Sequence, residues 1–281
     1  AWDLHVTEIM GNTLAENLRM IEDTVTYLKS QGREVIFDAE HFFDGYHANP
    51  EYALDVLSAA QKAGADFLVL CDTNGGTLPF ELDAATRTVK EFFANVGINP
   101  KIGVHTHNDC GVGVACAIAG VRAGACMVHG TMNGYGERCG NADLTSIIPI
   151  LSIKMTGYET IPAKNLKFLV PTARAINEIA NVVPLNSRPF VGKSAFAHKG
   201  GIHVSAVNKN PRAYEHMNPE LVGNVRRVLT SDQAGRSNII FKAQEMGINM
   251  STQDSKNLVR YIKELEQNGY TMLLSQVETS E

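Results

Sequence analysis

Short apolar segments alternate with helix-like segments through the first 157 residues, and this alternation restricts the possible folds more than any other feature of the chain. The apolar segments have the length and the residue types of strands, whereas the segments between them carry apolar residues at spacings of three and four. Strands that alternate with helices form a parallel sheet with helices on both faces. The sequence therefore predicts an α/β fold, with strands at 34–37, 67–71, 102–104 and 127–130.

Polar side chains lie at or just after the end of each predicted strand. The carboxyl ends of parallel strands meet at one edge of a sheet, where ligands bind in open α/β sheets and in barrels. We therefore expect these side chains to share one site. In strand order they are Asp38 and Glu40, then Asp72 and Thr73, then His105 and His107, and finally Asn133.

The pair His105 and His107 is a candidate metal site. Side chains alternate along a strand, so residues two apart share a face, and their ring nitrogens can approach one ion. Imidazole suits zinc and other first-row metals, and a carboxylate or amide in the same set also admits magnesium or manganese. The alternative is one surface histidine and one buried histidine, with no metal.

The remaining strand-end residues admit two interpretations. Glu40 shares a face with Asp38, and a carboxylate there can orient a base or share a proton. The alternative is helix capping, which suits Asp72 best, while Thr73 could equally be an ordinary turn residue. Asn141 is predicted to cap the helix that follows it.

The alternation stops after about residue 157. His198 and His203 lie five residues apart, a poor spacing for one helix face, so spacing alone allows a function for only one of them. Tyr214 lies in a loop-like segment and is a surface residue by default. The predicted helices of this region are 165–182, 238–246 and 252–267.

Charge and composition exclude several classes of protein. The net charge is −5 and there is no run of Lys and Arg, which argues against nucleic acid as a partner. No apolar segment approaches the roughly 20 residues of a membrane span, and no signal peptide is visible. The five cysteines lack CxxC spacing, so we expect reduced, mostly buried thiols and a cytoplasmic protein.

Two motifs carry a family resemblance. Residues 103–109 read Gly-Val-His-Thr-His-Asn-Asp, and residues 130–142 read Gly-Thr-Met-Asn-Gly-Tyr-Gly-Glu-Arg-Cys-Gly-Asn-Ala. Together they resemble the second signature of the 2-isopropylmalate synthase and homocitrate synthase family. Residues 32–46 and 195–206 are similar to the citramalate synthase branch in particular. The resemblance extends over essentially the whole chain.

The resemblance implies a TIM-barrel enzyme of branched-chain amino-acid biosynthesis that condenses acetyl-CoA with a 2-oxo acid, here pyruvate. It implies a divalent metal ion (zinc, manganese, magnesium or cobalt) and a homodimer that exchanges its post-barrel subdomains. The implied metal ligands are His105, His107 and Asn141. The implied catalytic residues are Glu40, His203 and Tyr214, and the implied substrate-binding residues are Thr73 and Asn133.

The chain departs from the family pattern at one point. Family members begin with a strand that carries an Arg-Asp pair, whose Asp is a metal ligand, and no such pair occurs here. We therefore expect a piece of a longer protein, with barrel strands five to eight in residues 1–157 and a linker and helical subdomains in residues 158–281. We expect this chain alone to bind metal weakly and to catalyse little.

The sequence also allows other functions. Within the family, the alternatives are a 2-isopropylmalate synthase or a homocitrate synthase, and a related lyase fits less well because the His203 region resembles the synthases. The alternative of another class is a non-catalytic fragment or pseudoenzyme that has lost the first barrel strands.

Overall fold

The structure is a computed structural model that describes residues 1–198, 201–228, 239–240, 243 and 246–268. The chain divides into two compact units, Ala1–Thr160 and Ile161–Glu281.

The first unit is built on a four-stranded parallel sheet. The strands pair in chain order, with Leu70 opposite Val104 where the second strand meets the third. This confirms the predicted α/β fold. The strands are β1 (Ile36–Ala39), β2 (Phe67–Asp72), β3 (Ile102–Thr106) and β4 (Met127–His129).

Helices precede, connect and follow these strands. Local sequence sets where they begin: the Thr13 hydroxyl oxygen accepts the N–H of Glu16 at the first helix, and the Asn49 side chain accepts the N–H of Tyr52 at the third. The helices are α1 (Leu14–Ser30), α2 (Phe42–Ala48), α3 (Pro50–Lys62), α4 (Pro79–Asn95), α5 (Gly113–Arg122) and α6 (Leu144–Pro149).

Two predictions for this unit were wrong. Asn141 does not cap α6, because the Asp143 carboxylate accepts the N–H of Thr145 there. The cysteines are not mostly buried, since only Cys71 and Cys116 are buried and the other three are exposed. No sequence pattern predicted α2, which lies between β1 and α3.

The sheet is strongly curved. In a flat sheet, strands one and four would lie about 14 Å apart, three times the strand spacing. Instead, the Asp38 side chain on β1 lies 3.5 Å from the His129 ring on β4. The curvature brings side chains from both ends of the sheet into one concavity. Helices pack on the outer face of the sheet, where the buried cluster includes Phe42, Leu57, Leu68, Leu82, Val89 and Ile102.

The second unit is mainly helical. A two-stranded parallel ribbon pairs Ala197 with Arg227 and His198 with Val228. The predicted helix at 252–267 is confirmed, whereas most of the predicted helix at 238–246 lies outside the described residues. None of the helices in the described ranges is long and apolar enough to cross a membrane. The elements are α7 (Leu169–Ile179), β5 (Ala197–His198), α8 (Gly201–Lys209), β6 (Arg227–Val228) and α9 (Thr252–Gln267).

Candidate functional site

Side chains from three strands converge in the concavity of the sheet. The Asp38 carboxylate on β1 lies 3.7 Å from Nδ1 of His105 on β3 and 3.5 Å from Nδ1 of His129 on β4. These separations exceed those of a good hydrogen bond, but they are close to the roughly 3.4 Å between neighbouring ligands of a tetrahedral metal ion. The three residues could therefore hold a metal ion.

His129 was not among the predicted site residues. It ends β4 directly opposite His105 in the sheet register. Its position one residue before the end of a predicted strand was the available signal, but the sequence could not show that curvature brings β4 toward Asp38.

Opposite charge stabilises this group. Burial opposes ionisation of Asp38, yet contact with the rings of His105 and His129 lowers the pKa of the carboxyl group well below its usual range. The same contact raises the pKa of His129, against the effect of burial. The concavity therefore favours a carboxylate with a cation beside it.

The predicted metal ligands lie on the other side of the His105 ring. The rings of His105 and His107 stack with centroids 5.4 Å apart. Nε2 of His105 lies 2.9 Å from the Asn141 amide nitrogen, and Asn141 also pairs with His107 through the backbone. An amide carries an oxygen and a nitrogen at equivalent positions, so a half-turn of the Asn141 side-chain amide presents its oxygen to the same point. The structure thus brings together all three predicted ligands.

The donor atoms of this group fit a divalent metal ion. Within the described part of the chain, Nδ1 of His107 is a buried atom without a hydrogen-bond partner, and so is Nδ1 of His105, on the side of that ring that faces Asp38. Buried polar atoms are normally paired, so such atoms indicate a missing ligand. Burial, and then the neighbouring His105 and Arg138, lower the pKa of His107, which favours the neutral ring that binds metals. We call Asp38, His105, His107, His129 and Asn141 the strand-end cluster.

The loop after β4 holds Asn141 in place. A methyl group at Gly136 would overlap the Asn141 side-chain oxygen, so the backbone there passes directly against the amide. Arg138 in the same loop donates to the backbone oxygen of Thr73 at 2.7 Å and to the Asp109 carboxylate at 2.9 Å. The glycines of this motif therefore serve a tight backbone path, and its arginine ties the loop to the ends of β2 and β3.

The predicted substrate-site residues lie just beyond the strands. Thr73 follows β2, and its hydroxyl oxygen accepts the N–H of His41 at 2.8 Å. Asn133 follows β4, is buried and has the left-handed φ of 63°. Glu40 is exposed in the turn after β1.

The two predicted catalytic residues of the second unit are in contact with each other. His203 on α8 and Tyr214 stack with ring centroids 4.2 Å apart at 28°. Both side chains are exposed. Glu40 belongs to the first unit, and the catalytic roles of Glu40, His203 and Tyr214 stay predictions.

Known proteins match both units. A family model described as HMGL-like matches residues 2–176, and one described as homocitrate synthase post-HMGL domain-like matches residues 190–270. The (R)-citramalate synthase of Synechocystis sp. is 54% identical over 96% of this chain and 50% of that protein. The (R)-citramalate synthase of Aquifex aeolicus is 56% identical over 96% of this chain and 51% of that protein. The chain thus spans about half the length of these curated relatives.

The fold comparison agrees with the family models. The crystal structure of HMG-CoA lyase from Bacillus subtilis aligns with a TM-score of 0.51 and 21% sequence identity, over 66% of this chain and 62% of the lyase. At that identity the likeness concerns the fold, which is of the TIM-barrel type. Because the first family model also covers more than half of the residues, the chain belongs to the HMGL-like family.

Proposed function

We propose that the protein is a metal-dependent acyltransferase that condenses acetyl-CoA with pyruvate to give citramalate. The observation that carries the proposal is the identity of 54% and 56% with two (R)-citramalate synthases, which extends over 96% of the chain and so includes both units. The open donor atoms of the strand-end cluster support a metal-dependent reaction.

The metal would be held by the two stacked imidazoles of His105 and His107 and by the Asn141 amide oxygen. This mixed set of nitrogen and oxygen ligands admits zinc, manganese, magnesium or cobalt. A divalent ion bound there would act as a Lewis acid that polarises the ketone of pyruvate. Asp38 would face Nδ1 of His105 and orient the ring, as carboxylates behind metal-bound histidines do.

The reaction consumes one water molecule. A base removes a proton from the methyl group of acetyl-CoA, and the resulting enolate carbon forms a bond to C2 of pyruvate. The ketone oxygen receives the electron pair and then a proton. Water hydrolyses the thioester, which breaks the C–S bond and releases citramalate and free CoA thiol. We assign the base to His203, stacked on Tyr214, with Glu40 as the carboxylate that holds it.

The proposal includes a larger assembly. Four parallel strands leave two unpaired sheet edges, which a closed barrel would not have. We propose that these strands are the fifth to eighth of a complete barrel, and that two copies exchange their second units so that His203 reaches the partner's barrel. Thr73 and Asn133 would then line the substrate site. We also propose that the protein is cytoplasmic.

The test is a thiol-release assay on the chain extended by the sequence that precedes it in its gene. The assay would use acetyl-CoA with pyruvate, 2-oxoisovalerate or 2-oxoglutarate, and with each of the four metals after chelation. We expect pyruvate to give the highest kcat/KM. A preference for 2-oxoisovalerate or 2-oxoglutarate would instead indicate a 2-isopropylmalate or homocitrate synthase. No thiol release with any acceptor would favour the non-catalytic alternative.

A further inference from the structure

Glu215 is a buried acid that the proposed reaction does not use. Its side chain is only 2% exposed. One carboxylate oxygen lies 3.0 Å from Nε2 of His198, and the other accepts an N–H of Arg226 at 2.6 Å. Nε of Arg226 also donates to the first oxygen, so the guanidinium group binds the carboxylate through two hydrogen bonds. We call His198, Glu215 and Arg226 the Glu215 cluster.

The cluster joins three separate segments of the second unit. His198 ends β5, and Arg226 directly precedes β6, which pairs with β5. Glu215 comes from a third segment, just after a 3-10 turn at Pro211–Ala213. A bidentate pair with Arg fixes both the distance and the orientation of the segments that it joins.

Two of these segments carry the candidate catalytic rings. Tyr214 immediately precedes Glu215, and His203 lies five residues after His198 on α8. Their rings stack at 4.2 Å although both side chains are exposed. Exposed rings have little surrounding packing to fix one arrangement, so their geometry depends on how firmly their backbone segments are held. The hydrogen bond between His198 and Glu215 holds those two segments together.

We infer that Glu215 is a positioning residue that holds His203 and Tyr214 in the stacked arrangement required for catalysis. The inference rests on the proposed function in so far as His203 is the base. Glu215 itself does not contact the reacting atoms. It acts through the segments that carry the two rings.

The first measurement is structural and needs no activity. Nuclear Overhauser contacts between the ring protons of His203 and Tyr214 would be recorded in the 281-residue chain and in the variant Glu215→Gln. We expect the contacts to weaken at least threefold in the variant. The control is Glu220→Gln, which removes the same charge from an exposed acid near the same arginine and should leave the contacts unchanged.

The second measurement separates positioning from general structural damage. In the gene-extended protein, Glu215→Gln should lower kcat about tenfold while KM for pyruvate and metal affinity stay within twofold. The double variant Glu215→Gln with His203→Ala should be no slower than His203→Ala alone, because Glu215 acts through His203. Arg226→Lys keeps the charge but loses the paired hydrogen bonds, and it should give a smaller loss of kcat.

Several results would overturn the inference. Unchanged ring contacts in Glu215→Gln would do so, as would equal losses in kcat and metal affinity or a double variant much slower than His203→Ala. If Glu215→Gln does not fold, Arg226→Lys decides through the same ring contacts and the same kinetic comparison. If the unmodified extended protein shows no condensation, the proposed function fails, and ring contacts that weaken in the 281-residue chain would still support the positional role.

Discussion

The strand-end cluster and the Glu215 cluster both bring histidine to a carboxylate, yet they differ in how well their polar atoms are satisfied. Glu215 is 2% exposed and accepts hydrogen bonds at 2.6 and 3.0 Å. Asp38 is 45% exposed and lies 3.5 and 3.7 Å from its histidines. The buried Nδ1 atoms of His105 and His107 have no hydrogen-bond partner within the described structure.

This difference in hydrogen bonding indicates different roles for the histidines and carboxylates of the two clusters. A buried polar group that is fully paired within the protein fixes the backbone around it, whereas an unpaired one stays available to a ligand. We therefore expect a metal ion at the strand-end cluster, and we expect the Glu215 cluster to support the exposed His203 and Tyr214. A substitution in one cluster therefore tests whether the function assigned to the other cluster changes with it.

The largest expected effect is on catalysis. In the gene-extended protein, His203→Ala should lower kcat by about 10²- to 10⁴-fold, the usual contribution of a general base. Metal affinity should stay unchanged, because the strand-end cluster is intact. Stopped-time thiol release and metal titration would measure the two quantities. Ile202→Ala changes an exposed neighbour on α8 and should leave both unchanged.

Tyr214→Phe sharpens this prediction because it keeps the ring stack and removes only the hydroxyl group. A loss of kcat in this variant would give the hydroxyl a direct role, whereas full activity would limit Tyr214 to ring packing. Full condensation activity in His203→Ala would show that the base lies elsewhere.

Metal affinity should depend most on His105, because its ring belongs to both groups of candidate ligands in the strand-end cluster. We expect His105→Ala to weaken binding by more than about 100-fold, and Asp38→Asn by about 10- to 100-fold, as outer carboxylates do. Competition with a fluorescent chelator for zinc and manganese would measure both. His47→Ala removes an exposed histidine and is the matched control.

The same titration distinguishes the two sides of the His105 ring. If the metal lies between His105, His107 and Asn141, His107→Ala should weaken binding more than His129→Ala. The opposite order would move the ion to the group of Asp38, His105 and His129, which also lie close enough to hold one.

The Glu215 cluster should instead control stability at low pH. Burial opposes ionisation of Glu215, but hydrogen bonds from Arg226 and His198 outweigh it and lower its pKa. A lowered pKa stabilises the fold above the unfolded value of about 4.3, and this contribution is lost as the pH falls through the folded value. The wild-type chain should therefore lose stability below about pH 4.

Glu215→Gln should remove that dependence on pH. At pH 7 it should cost about 2–3 kcal/mol, toward the lower end for a broken buried pair because Arg226 stays partly solvated. Urea unfolding at pH 7 and pH 3.5, followed by the methyl signals of the buried residues Val204 and Val207, would measure it. An unchanged pH dependence in Glu215→Gln, or the same change in Glu220→Gln, would contradict the prediction.

The sequence predicted the sheet because its signals are local. Each apolar run depends on neighbouring residues alone, and each of the four predicted runs overlaps one of the strands β1 to β4. The pairing of His105 with His107 was also predictable, since residues two apart along a strand share a face. The short helix α2 carries no comparable local signal.

The rest of the site depends on contacts between distant segments. His129 joins Asp38 only because the sheet curves, and strand periodicity does not report curvature. Asn141 was predicted both as a helix cap and, from the family motif, as a metal ligand, and only the fold places it against His105. The sequence drew attention to His198 but not to Glu215, whose partners come from segments far apart along the chain.

The smallest expected effect concerns the loop that holds Asn141. Gly136 and Gly11 both have positive φ, but an added methyl group would meet open space at Gly11 and the Asn141 side chain at Gly136. Gly11→Ala should lose about 1–2 kcal/mol of stability through left-handed backbone strain, and Gly136→Ala should lose at least as much because its methyl group would overlap the Asn141 side chain. Only Gly136→Ala should also weaken metal binding, by about tenfold or ~1.4 kcal/mol, because it displaces one ligand of the strand-end cluster. Equal metal affinity in the two variants would remove Asn141 from the metal site and leave His105 and His107 to be completed by other ligands.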